Sequence, residues 1–356
     1  MDGDKGFVAW RLPGDERGRA FSVGKINRVD VKAFSPNDFN GAFMVAPFNI
    51  SKGLFGLWPE KETTLFEVKT TANDHSSFKM EKESPEIREK YASSFAVLKQ
   101  ALDKEIVDKV VLARKLNVEE VPSTILPGVF ELLCSTYPNA FVYFLDHPET
   151  GRWIGASPEL FLEKSADRLR TVSLAATRKT ELHSEDWNMK ELEEQGLVSV
   201  FVDEVLSHYG IKEYIKSGPE PLRAGAMVHL RTSYQFKDEK VCRQTGRFIQ
   251  SLHPTPAVGG YPKEKALKVI HDAENFDRGL YSGFLGPVSK EGFRFYVNIR
   301  SMRLGQNSAV LYLGGGITRD SLEENEWEET RLKARTLLSV LHSVKQKFFN
   351  ESIHLR

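Results

Sequence analysis

The sequence predicts an α+β fold in which one large domain of antiparallel sheets is flanked by helices. Strand-like runs occur in clusters separated by turn residues, whereas a parallel sheet would alternate strands and helices regularly. Several other segments have helical periodicity, most clearly residues 184–210. No internal repeat, low-complexity tract or linker divides the 356 residues. We therefore expect a single domain.

The first 85 residues favour strands. The runs "GFVAWRL", "GAFMVAPF" and "TTLFEVKTT" are strand-like, turn-rich pieces separate them, and no long helical period occurs. We interpret residues 1–85 as a strand-rich part of the same domain as residues 86–356, which we expect to form the catalytic region.

The middle of the chain alternates less regularly. Residues 88–104 favour a helix, "DKVVLARKLNV" a strand, residues near 128–136 a helix, and residues 140–146 a strand. Two further strands, "RWIGASPELFLEK" and "RLRTVSLAATRK", are joined by the turn "SADR". This succession predicts an antiparallel meander.

The clearest predicted helix is residues 184–210, which Gly210 would end. Its expected apolar side consists of Leu192, Val198, Phe201, Val202 and Val205. Strands around 222–236 and helices near 243–251 and 263–272 follow. A second meander then leads to a helix that begins with five glutamates between positions 323 and 329.

Composition limits the class of partner. Lysine plus arginine equals aspartate plus glutamate at 49 each, so nothing indicates a nucleic-acid or anionic-membrane surface. The charged N-terminus lacks the apolar run of a signal peptide, and no stretch approaches the length of a membrane span. The sequence has no exposed heptad pattern of the kind that would indicate an obligate partner. The two cysteines have no CxxC spacing. These features predict a cytoplasmic monomer that acts on a small molecule.

The acidic helix start has two interpretations. Acidic residues favour helix N-termini, and Arg331, Lys333 and Arg335 follow at pairing distance along the helix. Alternatively, Glu326 and Glu329 lie on one face and bind a divalent cation, together with the acidic segment at 191–194. Mg²⁺ is the hard cation that such carboxylates suit.

Single residues also suggest chemistry. Lys109 precedes three aliphatic residues and is a candidate general base, while Glu159, between apolar neighbours, is a candidate general acid; each is alternatively an exposed strand residue. Arg300 offers a fork for a carboxylate or for a structural ion pair. The run 314–316, all glycine, allows a ligand close to the backbone or simply makes a tight turn.

These segments together resemble the chorismate-utilising enzymes, and most of all the isochorismate synthases among them. The motifs "DKVVLAR", "GASPELFLE", "SLAATRK", "KELEEQGLV", "LHPTPAVGG", "FDRGLYSGFLG", "IRSMRL", "GGGI" and "EWEET" occur in the family's order over residues 90–345. The resemblance implies the fold of that family and conversion of chorismate to isochorismate with Mg²⁺. It implies no glutamine amidotransferase subunit.

The resemblance also assigns roles. Lys109 would activate the water that attacks C2, and Glu159 would protonate the departing C4 hydroxyl. Glu194 and Glu329 would bind Mg²⁺, with Glu326 in an outer position. The implied substrate-binding residues are Ala176, His229, Thr255, Ala257, Gly260, Tyr281, Arg300, Gly314, Gly315 and Gly316.

Three alternatives stay open. The first is a salicylate synthase, which shares Lys109. The second is a relative that uses ammonia and differs at the position of Lys109. The third is a protein that binds chorismate without turnover, which would result if Ala176 damages the pocket. The family usually has glycine at Ala176. The product is expected to supply menaquinone synthesis, with a catecholate siderophore as the alternative route.

Overall fold

The computed structural model describes residues 6–63, 79–80, 84–179, 187–224 and 227–354. Its strands are β1 (Phe7–Arg11), β2 (Arg19–Val29), β3 (Phe43–Ala46), β4 (Leu54–Thr63), β5 (Lys79–Met80), β6 (Lys109–Glu119), β7 (Phe141–His147), β8 (Gly151–Ser157), β9 (Leu160–Ser165), β10 (Arg168–Lys179), β11 (Tyr214–Ala224), β12 (Met227–Phe236), β13 (Gly260–Tyr261), β14 (Phe284–Ser289), β15 (Gly292–Val297), β16 (Ser301–Leu304) and β17 (Ser308–Ile317). Its helices are α1 (Pro85–Asp103), α2 (Leu126–Thr136), α3 (Met189–His208), α4 (Glu239–Arg243), α5 (Thr245–Leu252), α6 (Lys263–Ala273) and α7 (Glu323–His354).

All strand pairings in the described residues are antiparallel, and together they connect the strands into one continuous sheet. The order is β11-β12-β10-β9-β15-β14-β3-β4-β2-β1-β7-β8-β16-β17-β6. β5 and β13 pair with the outer edge of β6. β1 to β4 of the N-terminal part thus join the two halves of the sheet.

The sheet folds over into two layers around a central core. In β3, Phe43 and Val45 belong to this central core, whereas Met44 faces the opposite side. In β7, Tyr143 belongs to it and Val142 faces away. Because side chains alternate along a strand, both strands are covered on both faces. The central core is therefore a layer shared by the two halves.

Helices cover the outer faces. α3 and α5 pack on the half that contains β9, β14 and β15. α2 and the part of α7 from Ala334 to Val344 pack on the half that contains β7, β8 and β17, while α1 and α6 cover β6. The predicted α+β class, with antiparallel sheets flanked by helices, is confirmed. None of the described helices is long and apolar enough to span a membrane.

The predicted strand "RWIGASPELFLEK" is wrong as a single element, because it divides into β8 and β9. Pro158 lies in the break and lacks the N–H that a strand needs. β8 pairs with β7 and β16, whereas β9 pairs with β10 and β15. The chain therefore crosses from one layer to the other at Pro158 and Glu159.

Other expectations differ in detail. β2 was not predicted, and most of "TTLFEVKTT" lies outside the described residues, as do residues 184–186 of the predicted helix. Leu192, expected on the apolar side of α3, is 39% exposed, whereas the other four predicted residues are buried. The second meander is two hairpins, β14–β15 and β16–β17.

Candidate active site

The two layers enclose a cavity beside β6 and β17 of one layer and β10 and β12 of the other. Most of the predicted site residues line it, namely Lys109, Glu159, Ala176, Glu194, His229, Ala257, Tyr281, Arg300, Gly314, Gly316 and Glu329. Residues far apart in the sequence thus meet because the sheet folds over.

Four predicted residues lie behind this wall. A Cβ on Gly260 would be 2.4 Å from the Lys109 carbonyl oxygen, so Gly260 allows its segment to pack on β6. Thr255 is buried, and its carbonyl accepts hydrogen bonds within the loop that presents Ala257. Glu326 is buried beside Gly315, where a Cβ would be 3.6 Å from Glu326 Oε2.

Lys109 lies at the start of β6 and is 1% exposed. Its Nζ is 3.0 Å from Oε1 of Glu194, which comes from α3. A buried ammonium needs such a partner, because water cannot solvate it. Glu193 is exposed, so α3 turns Glu194 and not its neighbour toward the cavity.

Glu159 is 3% exposed. Burial raises its pKa to about 8, although Lys109 and Lys333 act in the opposite direction. Since the charged form of a carboxyl is poorly solvated in such a site, Glu159 is largely protonated at neutral pH. It can therefore donate a proton.

Arg300 supplies positive charge on one wall of the cavity, beside a neutral His229. Arg300 donates to Thr336 Oγ1 at 2.8 Å, and within the described residues no carboxylate forms an ion pair with it. Burial, reinforced by Arg300 and Lys333, lowers the pKa of His229 to about 3. His229 Nδ1 is 2.9 Å from the Ala176 carbonyl, which only accepts, so Nδ1 donates and Nε2 faces Arg300 as an acceptor. The free charge of Arg300 suits an anionic ligand.

The backbone at Ala176 has a conformation that glycine usually adopts. Ala176 has φ +56°, in the left-handed region that favours glycine. The pairing of β10 with β12 shifts register between Ala175 and Arg178, which forms a bulge. The bulge turns the Ala176 carbonyl toward His229.

The glycine run lies at the end of β17. β16 pairs with β17 only at Ala309–Leu311, so the run has β6 on one edge and an open edge on the other among the described strands. A Cβ on Gly314 would be 2.7 Å from the Tyr281 hydroxyl, and one on Gly316 would be 2.5 Å from Glu194 Oε1. Side chains there would fill the cavity, so glycine leaves backbone groups accessible to a ligand.

Each glutamate of the acidic helix start has a basic partner. Arg88 lies 2.9 Å from Glu323 and 2.5 Å from Glu324. The other pairs are Lys190 with Glu326 at 2.9 Å, Arg331 with Glu328 at 2.7 Å and Lys333 with Glu329 at 2.5 Å. The charge is therefore tolerated because several elements contribute cations.

A magnesium ion fits this donor set when a ligand completes its coordination. Within the described part of the chain, no three acidic, histidine or cysteine side chains are close enough to hold a metal by themselves. Mg²⁺ usually takes one or two protein carboxylates and fills its shell with water and substrate oxygens. Glu194 and Glu329, both on the cavity wall, are the carboxylates that would bind such an ion.

Sequence reasoning missed Lys333 as a cavity residue. Its Nζ donates to the Gly314 carbonyl at 2.8 Å and lines the cavity. The signal in the sequence is its spacing of four from Glu329, which is equally typical of a pair on the helix surface. It also missed Thr177, another lining residue, whose hydroxyl is 3.2 Å from His229 Nδ1.

A buried acid, a lysine and an arginine that has no acidic partner among the described residues surround one cavity, and together they form the candidate site of an enzyme. The sequence matches the family described as chorismate binding enzyme over residues 48–342, and the chain belongs to that family.

Two curated relatives are isochorismate synthases. The vibriobactin-specific enzyme of Vibrio cholerae is 31% identical over 245 residues, which cover 65% of this chain and 62% of the relative. EntC of Escherichia coli is 31% identical over 244 residues, covering 66% of this chain and 62% of the relative. The matched part thus spans about three-fifths of each relative.

A solved structure has the same fold. MenF, the menaquinone-specific isochorismate synthase from Escherichia coli, superposes with a TM-score of 0.74 at 21% identity, covering 95% of this chain and 89% of MenF.

Proposed function

We propose that this protein is an isochorismate synthase, which adds water at C2 of chorismate and releases the C4 hydroxyl. The observation that carries the proposal is the presence of Lys109 and the largely protonated Glu159 on the wall of one cavity. A base and an acid in one site suit a reaction in which water enters as hydroxide leaves. The names of the curated relatives support the same activity.

In the proposed reaction, the Lys109 ammonium first loses a proton to solvent, and the resulting neutral amine accepts a proton from the attacking water as the water oxygen bonds to C2. The ring double bonds shift, the C4–O bond breaks, and Glu159 gives its proton to the departing hydroxyl, which leaves as water. Proton return from Lys109 to Glu159 through solvent restores both groups. One water enters and one leaves, so the net reaction is an isomerisation.

The same proposal assigns the substrate contacts. Arg300 and the backbone of Gly314–Gly316 would hold the carboxylates of the substrate, and Tyr281, His229 and Ala257 would shape the pocket. Bound to Glu194 and Glu329, with Glu326 in an outer position, Mg²⁺ would neutralise charge on a substrate carboxylate.

The test is to incubate the protein with chorismate and Mg²⁺, with and without EDTA and ammonium, and to identify products by chromatography and mass. We expect a mixture of chorismate and isochorismate that is lost with EDTA, indifferent to ammonium and absent with Lys109→Gln. Salicylate with pyruvate, or an aminated product, would assign a sister activity. Unchanged chorismate would contradict the proposal.

Menaquinone supply stays a prediction, because the similar proteins include both a vibriobactin-specific enzyme and the menaquinone-specific MenF. The cytoplasmic location, the monomeric state and the lack of an amidotransferase subunit stay predictions as well.

A further inference from the structure

Trp327 lies between two arginines at the start of α7. The Cζ atom of Arg114 is 3.9 Å from the centroid of the indole ring, and that of Arg88 is 4.8 Å from it. The ring of Tyr91 meets the indole edge-on at 5.0 Å between centroids. We call Arg88, Tyr91, Arg114 and Trp327 the tryptophan clamp.

The clamp is buried on its inner side. Trp327 is 3% exposed and Arg114 is 6% exposed. Arg114 Nε also donates to Thr330 Oγ1 at 2.6 Å, and that hydroxyl donates to the Trp327 carbonyl at 2.7 Å. Arg114 thus holds both the side chain of Trp327 and the first turns of α7. A desolvated cation–π contact is stronger than an exposed one.

The clamp joins the two elements that carry the proposed chemistry. Arg114 lies on β6, five residues after Lys109, so the two side chains point to opposite faces of the strand. Trp327 lies on α7 directly after Glu326 and two residues before Glu329. The contact of Arg114 with Trp327 therefore fixes where these carboxylates lie relative to Lys109.

We propose that Arg114 and Trp327 are positioning residues for the metal carboxylates of α7. This inference rests on the proposed function. The two residues act through Glu326 and Glu329 and touch neither substrate nor metal. Partners that orient the ligands of a metal typically change its affinity by about 10- to 100-fold when they are removed.

Charge and position make opposite predictions for Arg114. If Arg114 acted only as a nearby positive charge, Arg114→Leu would tighten cation binding, because it removes repulsion. If Arg114 positions the carboxylates, the same change weakens cation binding. Trp327→Leu removes no charge, so it tests position alone. Arg331→Gln, at an exposed arginine paired with Glu328 on the same helix, is the matched charge control.

The experiment measures Mn²⁺ binding by electron paramagnetic resonance, with and without chorismate, together with the melting temperature of each variant. We expect Arg114→Leu and Trp327→Leu to weaken Mn²⁺ binding about tenfold or more, and Arg331→Gln to leave it unchanged or tighter. Arg114→Lys and Trp327→Phe are the milder versions if the first pair does not fold, and they should weaken binding in the same direction.

Two results would overturn the inference in distinguishable ways. If Arg114→Leu and Trp327→Leu bind Mn²⁺ as tightly as the wild-type protein, or more tightly, the positioning role of the tryptophan clamp is contradicted. The proposed function would be unaffected. A wild-type protein that binds no Mn²⁺ even with chorismate would contradict the metal assignment, and the role of the clamp with it.

Discussion

At the scale of single residues, the site depends on where the backbone leaves regular geometry. Glu159 follows the proline at which the chain crosses between layers, and Ala176 and Arg300 both have positive φ, +56° and +51°. Non-glycine residues with such angles cost energy and are enriched at functional sites. These three positions turn a carboxyl, a carbonyl and a guanidinium toward one cavity.

The pKa of Glu159 predicts the alkaline side of the activity profile. Because burial raises this pKa to about 8, the general acid is protonated below that pH and loses its proton above it. We expect kcat to fall as the pH rises through about 8, and Glu159→Gln to be nearly inactive at every pH. A wild-type kcat that stays constant from pH 7 to 9 would contradict the assignment.

The same pKa predicts an effect on stability. A carboxyl whose folded pKa exceeds its unfolded value of about 4.3 stabilises the folded state fully at low pH and progressively less as the pH rises toward 8. The free energy of unfolding of Glu159→Gln should therefore fall less between pH 5 and 8 than that of the wild-type protein, as urea denaturation would measure. Parallel curves would be inconsistent with a buried neutral acid.

Ala176→Gly tests whether the departure from glycine matters. The left-handed conformation costs alanine about 1–2 kcal/mol, while glycine loses about 0.5–1 kcal/mol more chain entropy on folding. We expect the substitution to leave stability unchanged or raise it by up to about 1.5 kcal/mol, and to retain activity. Ala175→Gly, without positive φ, is the control and should destabilise by about 0.5–1 kcal/mol. Equal losses of stability in Ala176→Gly and Ala175→Gly would show that the backbone of Ala176 is not strained.

At the scale of elements, α3 shows how a helix start positions a site residue. The side chain of Asn188 accepts from the Glu191 N–H at 2.9 Å, and the Glu191 carboxylate accepts from the Asn188 N–H at 2.9 Å. This capping box fixes the first turn of the helix. Glu194 follows one turn later and reaches the cavity.

Removing this cap should therefore affect both stability and metal use. Asn188→Ala should cost about 1 kcal/mol of folding free energy and raise the Mg²⁺ concentration needed for half-maximal activity. The control is Asp238→Ala, which removes the cap of α4, away from the cavity. The Asp238 side chain accepts from the Val241 N–H at 2.7 Å. Asp238→Ala should lower stability without changing the Mg²⁺ requirement. An identical change of the Mg²⁺ requirement in both variants would contradict the link between the cap of α3 and the metal carboxylate Glu194.

At the scale of the whole molecule, one buried ion pair joins three segments around the site. Arg278 pairs with Glu274 at 2.6 Å and donates to the carbonyls of Val258, in the cavity loop, and Val111, in β6. Glu274 accepts from the Ala113 N–H at 2.7 Å. The pair therefore holds the loop and β6 together.

Removing one member of this ion pair should lower stability more than removing both members. Arg278→Leu leaves the Glu274 carboxylate buried and unpaired, which we expect to cost about 3–5 kcal/mol. The double variant Arg278→Leu with Glu274→Leu removes both charges and should recover part of that loss, as denaturant unfolding would measure. A double variant less stable than Arg278→Leu alone would show that the pair contributes mainly through its other hydrogen bonds.

The sequence by itself determined the α+β class, most of the elements and the candidate residues, because hydrophobic periodicity and turn residues are local properties of the chain. The order of nine motifs added the family. Only the tertiary structure decided that the predicted strand at 152–164 breaks at Pro158, since its two halves pair in different layers. It also decided that Lys333 reaches the cavity and that each of the five glutamates at the start of α7 has a cationic partner. These contacts join residues up to 236 positions apart, as between Arg88 and Glu324, and no local pattern records which distant strands the folded sheet will bring together.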